Sequence, residues 1–138
     1  KDDFKFSDLD VKVSSSGNIK GNINGNNINI QTSSSGEFYG EVNARNLSMQ
    51  SSSSGGINIK GKVERVSAQA SSSGDIKAEN LTADSAVLTT SSSADITIGV
   101  RTSLTANASS SGDIDVVKRG DLSKVSKNES SSGTINIR

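Results

Sequence analysis

The chain has no cysteine, which excludes a disulfide framework and any thiolate metal site. It has no histidine, so the commonest general base and the commonest metal ligand are missing together. Proline is absent, which suits strands that must donate every backbone N–H. Aromatic residues are limited to Phe4, Phe6, Phe38 and Tyr39. Lys+Arg and Asp+Glu both number 15, so the chain lacks the net positive charge that marks a nucleic-acid partner or an anionic membrane surface. No apolar run is long enough for a membrane-spanning helix, and none has the make-up of a signal peptide. A chain that opens at Lys1 rather than Met is expected to be a processed or trimmed form.

Apolar residues make up 30% of the chain, a fraction low enough to suggest disorder. Their placement argues otherwise. The word Ser-Ser-Ser-Gly recurs from Ser14–Gly17 to Ser130–Gly133, with Ala94 replacing the glycine in one copy. The positions Gly17, Gly36, Gly55, Gly74, Ala94, Gly112 and Gly133 are spaced by 19, 19, 19, 20, 18 and 21 residues. A flexible Ser/Gly linker keeps no such register.

Apolar residues alternate with period two around each word. Two residues after the glycine stand Ile19, Phe38, Ile57, Ile76, Ile96, Ile114 and Ile135. Five residues before the first serine stand Leu9, Ile28, Leu47, Val66, Ala86, Leu104 and Val125. Alternation of this kind is a strand signal. A 19-residue unit cannot bury its own apolar face, but stacked copies bury a continuous core and pair each strand with its equivalents above and below. The expected fold is therefore all-β: a single-stranded right-handed parallel β-helix (β-solenoid) of about seven coils of ~19 residues. It spans residues 1–138 as one domain, with residues 1–10 as an N-terminal cap region, and at one strand spacing per coil it is a rod roughly 34 Å long. Polar turns are expected between the two strands of a coil, near residues 25–27, 44–46, 82–85 and 119–121, and these should absorb the longer coils.

The parity of the alternation places the middle serines, Ser15, Ser34, Ser53, Ser72, Ser92, Ser110 and Ser131, on the inner side of a tight corner. The glycine is expected to supply the bend there. The flanking serines then form two outward columns, a flat hydroxyl array that could face ice or a glycan. The residue after the glycine is Asp75, Asp95 and Asp113 in three successive coils. Stacked carboxylates repel one another, and calcium would relieve this, so Asp75, Asp95 and Asp113 are the weak metal candidates. No catalytic or cofactor-binding residue stands out. The outward column Glu41, Lys60, Glu79 alternates in sign and is expected to form surface ion pairs.

The stretch Leu104–Val116 (LTANASSSGDIDV), the following Lys118–Asp121, and Ser130–Ile137 (SSSGTINI) carry a family resemblance. The pattern resembles the bacterial family described as putative auto-transporter adhesin, head GIN domain, from about Val11 to Arg138. Serine stands where the family words have the first of two paired glycines. The resemblance implies a right-handed β-helix exported to the envelope or exterior of a Gram-negative bacterium, and it supplies no catalytic residues.

The reading is thus a non-enzymatic, secreted or cell-envelope module (periplasm, outer membrane or cell surface) for adhesion or scaffolding, with no cofactor. A carbohydrate-binding or carbohydrate-cleaving solenoid is the alternative, weakened by the scarcity of aromatics. An ice- or calcium-binding solenoid is a minor one. A cell-surface protein or glycan is the expected partner class, with self-association expected at the C-terminal edge. Phe4, Phe6 and Leu9 are expected to plug the front of the core, while Ile135 and Ile137 lie on a bare last rung that Lys127 and Glu129 make partly polar.

Overall fold

The computed structural model describes residues 3–13, 17–33, 35–52 and 54–137, with side chains from Asp8 onward. Nine strands are formed among them: β1 (Asp3–Val13), β2 (Asn18–Thr32), β3 (Glu37–Ser51), β4 (Gly56–Ala70), β5 (Asp75–Thr90), β6 (Asp95–Ala108), β7 (Asp113–Lys118), β8 (Lys124–Glu129) and β9 (Thr134–Ile137). All pair in parallel, in the order β1-β2-β3-β4-β5-β6-β7-β9, with β8 beside β6. The result is a β-solenoid of about seven turns with roughly 19 residues per turn.

The period of 19 becomes a register in which like meets like. Phe38, Ile57, Ile76, Ile96, Ile114 and Ile135 stack on consecutive rungs, each no more than 4% exposed. A second interior stack runs Leu47, Val66, Ala86 and Leu104. Each fully buried aliphatic side chain contributes about 1.5–3 kcal/mol, which holds a chain of low apolar content together. The front of the apolar column is less covered, since Ile19 is 37% exposed.

The bend inside each coil differs from the expected polar turn. β2 to β6 run through it unbroken. Two successive exposed residues, Asn26-Asn27, Arg45-Asn46 and Glu64-Arg65, mark the place. The ladder skips one of them: Gly25 pairs with Ala44 and Asn27 with Asn46, leaving Asn26 and Arg45 at the corner. The strand turns by facing two neighbouring side chains outward, which resets the inward parity without loop residues. Only the last coil leaves the strand, over residues 119–123, where its extra length is absorbed as expected.

The 20-residue coil takes up its insertion elsewhere. Asn58 pairs with Lys77 but Lys60 with Asn80, and Ala78 pairs with Ile98 but Thr82 with Gly99. The extra length sits at residues 79–81, before the corner rather than at 82–85. This overturns part of the expected charge column. Glu41 does stand opposite Lys60, but no ion pair joins them within 4.0 Å; Lys60 is followed by Asn80, and Glu79 is displaced by the bulge.

At the last coil Lys127 occupies the interior column above Ala106, and all of β8 is exposed, Val125 at 45%. Leu122, from the 119–123 stretch, packs against the core in this coil together with Ile137, so the back of the rod is not bare. The side chains of Phe4 and Phe6, expected as the front plug, lie outside the described residues. Leu9 does pack against the core.

Candidate functional site

The Ser-Ser-Ser-Gly corner is a tight turn closed by a backbone hydrogen bond from the glycine N–H to the first serine carbonyl. Examples are Gly74 to Ser71 at 2.9 Å and Gly112 to Ser109 at 2.9 Å. In Ser91–Ala94, Ser109–Gly112 and Ser130–Gly133 both central serines have positive φ, from 49° to 74°. That is the pattern of a type I′ turn. In Ser71–Gly74 only Ser72 (58°) does, as in type II′.

The described middle serines are therefore not inside. Ser72, Ser92, Ser110 and Ser131 are exposed at the turn tips, while Ser15, Ser34 and Ser53 lie outside the described residues. The interior place before the turn is taken instead by Val13, Thr32, Ser51, Ala70, Thr90 and Ala108. Extending the strand alternation through a turn of positive φ misplaced the serines, because that conformation reverses the side-chain direction.

The glycine has a different reason from the one expected. It is not in the left-handed region; it is needed for close approach. A Cβ on Gly74 would lie 2.6 Å from the Ser51 carbonyl oxygen, and one on Gly55 2.7 Å from Thr32 Oγ1. Where Ala94 does carry a Cβ, the turn hydrogen bond opens to 3.2 Å. The exposed hydroxyl array thus consists of the second and third serines at the tips. The first serines (Ser33, Ser52, Ser71, Ser91, Ser109) are half-buried.

Asp75, Asp95 and Asp113 are brought into register on successive rungs, as the spacing required. Burial, then the charges of Asp75, Asp113 and Asp115, hold the Asp95 carboxyl above the ordinary range. Among the described residues no group of three acidic side chains is arranged to hold a metal ion. This face carries a short acidic ladder, with Lys77 two residues from Asp75 on the same outward side.

Sequence reasoning missed the amide ladders. Gln31 donates to Gln50 at 3.0 Å and Gln50 to Gln69 at 3.2 Å. On the neighbouring column Asn46 donates to Asn27 and Asn27 to Asp8, each at 2.8 Å. Beside the asparagine column lies a shallow trough of about 520 Å³ that includes Ser48, Ser67 and Val87. The signal was present: these amides recur at the coil period, and a one-rung spacing lets each accept from and donate to its neighbours.

The corner column carries the ion pairs. Arg45 Nε lies 3.7 Å from Glu64 Oε2, and Arg101 Nη1 3.4 Å from Asp84 Oδ1. Beside it is an open pocket of about 630 Å³ that also includes Lys62, Thr82 and Arg119. The half-buried Tyr39 donates its hydroxyl to Glu37, and Lys20 Nζ lies 5.8 Å from its ring centre. No helix among the described residues is long and apolar enough to cross a membrane.

Comparison with known proteins follows this geometry. No curated protein matches the chain. A crystal structure described as a putative lipid binding protein from Parabacteroides distasonis ATCC 8503 superposes with a TM-score of 0.79 at 26% identity. The alignment covers 99% of this chain and 58% of that one, so the chain spans little more than half of that protein's length. The family model for putative auto-transporter adhesin, head GIN domain, matches residues 3–120. The match begins earlier than the Val11 start that the motifs implied, and it stops before the last Ser-Ser-Ser-Gly word. With nearly all of the first six coils inside it, the chain belongs to the putative auto-transporter adhesin, head GIN domain family.

Proposed function

We propose that this chain is a non-enzymatic recognition module of the bacterial cell envelope or cell surface, acting in adhesion or scaffolding. One observation carries the reading. The exterior carries ladders of uncharged hydrogen-bonding groups, Gln31–Gln50–Gln69, Asn27–Asn46 and the serine turn tips, repeated at the rung spacing over an interior filled by aliphatic side chains. A periodic, preorganised polar face suits a partner that is itself repetitive, and it loses little side-chain entropy on binding because the ladders already fix their members. The family description as an adhesin supports the same reading. The lipid-binding description of the Parabacteroides structure supports an envelope setting.

Glycan polymers of the cell surface are the partner class that the amide ladders favour, since amides both donate to and accept from hydroxyls. The test uses the whole chain on a glycan array, together with a reducing-sugar assay on the glycans it retains. Saturable binding without release of reducing ends is expected. Turnover of the glycan would overturn the non-enzymatic reading, and failure to bind any envelope glycan or cell-surface preparation would overturn the adhesive one.

A further inference from the structure

Coil six is the shortest, with 18 residues from Ala94 to Gly112, and its deficit falls beside the corner. Thr82 stands in a ladder between Lys62 below and Gly99 above. Gly99 has no side chain to continue that outward column. The place is filled by Arg119 from the last coil: a Cβ on Gly99 would lie 2.7 Å from Arg119 Nε and 3.0 Å from its Cγ. The far end of the guanidinium donates to the Glu79 carbonyl oxygen, which holds the side chain across the notch. In the ladder Lys62 lies one rung spacing, ~4.8 Å, below Thr82, and the Arg119 side chain reaches the Gly99 rung above it. Arg101 borders the same pocket from the corner side.

The charges there are unevenly neutralised. Two carboxylates line the pocket, and each is already engaged: Glu64 by Arg45 and Asp84 by Arg101. Lys62 and Arg119 have no carboxylate within 4.0 Å among the described residues. On a chain of zero net charge this is a local surplus of cations, open to solvent and placed around a hydroxyl donor.

We propose that the notch formed by Lys62, Thr82, Gly99 and Arg119 is a binding site for a phosphoryl oxyanion. The donors come from different rungs: Lys62 from the rung below Thr82, Arg119 at the Gly99 rung above it, and Arg101, paired with Asp84, at the pocket's edge. Such a set matches the non-coplanar oxygens of a tetrahedral anion better than the two oxygens of a planar carboxylate, and the guanidinium adds directional charge-assisted hydrogen bonds. The phosphoryl group could belong to a lipid headgroup or be free phosphate. The inference does not depend on the adhesion reading, because it concerns one notch on coils four to seven and not the amide and serine ladders.

The experiment is a titration of the ¹⁵N-labelled chain with inorganic phosphate at constant ionic strength, using chloride as the blank. Saturable shifts confined to the amides around Lys62, Thr82, Gly99 and Arg119 are expected. Arg119→Gln and Lys62→Gln should each weaken binding by about tenfold or more. Both positions are exposed, so the stack should remain intact, and the unchanged remainder of the spectrum verifies that. Lys124→Gln, away from the notch, should leave the affinity unchanged. A second arm uses phosphatidylcholine vesicles with and without phosphatidylglycerol. Retention by the anionic vesicles that Arg119→Gln abolishes assigns the phosphoryl group to a lipid headgroup. Saturable phosphate binding without vesicle retention assigns it to a soluble phosphate. Shifts that do not saturate, that spread equally over Lys118, Lys124 and Lys127, or that survive both substitutions would overturn the proposal.

Discussion

The serine turns store backbone strain that a substitution should release. In Ser109–Gly112 the central residues Ser110 and Ser111 have φ of 52° and 72°. A non-glycine residue in that region loses about 1–2 kcal/mol through the clash of its Cβ with the backbone. Asn-Gly is the pair that type I′ turns prefer, because Asn tolerates the conformation and Gly has no Cβ. Replacing Ser110-Ser111 with Asn-Gly removes the penalty at the second position and part of it at the first. About 0.5–1 kcal/mol is returned through the larger unfolded-state entropy of glycine, which leaves a net gain of about 1–2 kcal/mol. For a chain of this size the melting temperature should rise by several degrees, on the order of 4 °C per kcal/mol. The turn at Ser71–Gly74 is an internal control: Ser72 has positive φ and Ser73 does not. Ser72→Gly should therefore stabilise, whereas Ser73→Gly should be neutral or lower stability. Thermal and urea melts of the four variants read this directly. If Ser73→Gly gains as much as Ser111→Gly, the strain argument is wrong.

Ile76 is 1% exposed between Ile57 and Ile96, so Ile76→Ala should cost about 2–5 kcal/mol by urea melts; a cost under 1 kcal/mol would mean the rungs collapse freely around the cavity. The Asp95 carboxyl is held above its ordinary range, so its native state binds protons more readily than the unfolded chain. Its contribution is most favourable below the unfolded pKa and is lost as pH rises through the folded one. Asp95→Asn should thus stabilise near neutral pH by at most about 1 kcal/mol, given solvent screening, and the gain should vanish in acid; a pH-independent difference between the melts would remove the charge explanation. At the C-terminal edge β8 and β9 each pair on one side only, with Val125 45% exposed, so self-association of the 138-residue chain should use that edge. Sedimentation of Val125→Lys against the parent checks it: a parent that stays monomeric at high concentration, or a variant that associates equally, rules the edge out.

The fold was legible because the repeat and the alternation are properties of a stack. A 19-residue period puts Ile57 under Ile76, and inward parity follows from period two. What the alternation could not reveal was where it breaks. Inside the coils of β2, β3 and β4 the chain resets parity by turning two successive polar residues outward, such as Arg45 and Asn46, and in sequence this looks like a polar loop. At the turns, parity carried through a left-handed conformation sent Ser72, Ser92, Ser110 and Ser131 inward when they face solvent. Of the candidate chemistry, the Asp75–Asp95–Asp113 register needed only equal spacing. The amide ladders were legible in principle from Gln31, Gln50 and Gln69, each 19 residues apart. The Arg119 notch was not. It depends on an insertion near Glu79, a shortening at Gly99 and a loop in the last coil, whose combined effect on register only coordinates reveal.

In a stack, every outward column sets identical positions one rung apart, so column composition has energetic consequences that single strands escape. Amides stacked in this way satisfy one another, as Gln31, Gln50 and Gln69 or Asn27 and Asn46 do toward the front, and Asn107 and Asn128 at the back. Like charges at that distance repel. The chain nevertheless places Asp75, Asp95 and Asp113 in one column and leaves Lys62 and Arg119 unneutralised around Thr82. Both departures fall mainly on coils five to seven, where the spacing also departs from 19 and the register shifts. A uniform stack would be more stable without them. Sequences that violate local rules without a packing gain tend to do so at functional positions. On that ground the periodic face proposed above falls on the regular front coils, and the irregular back coils are where discrete, charge-dependent recognition should be sought.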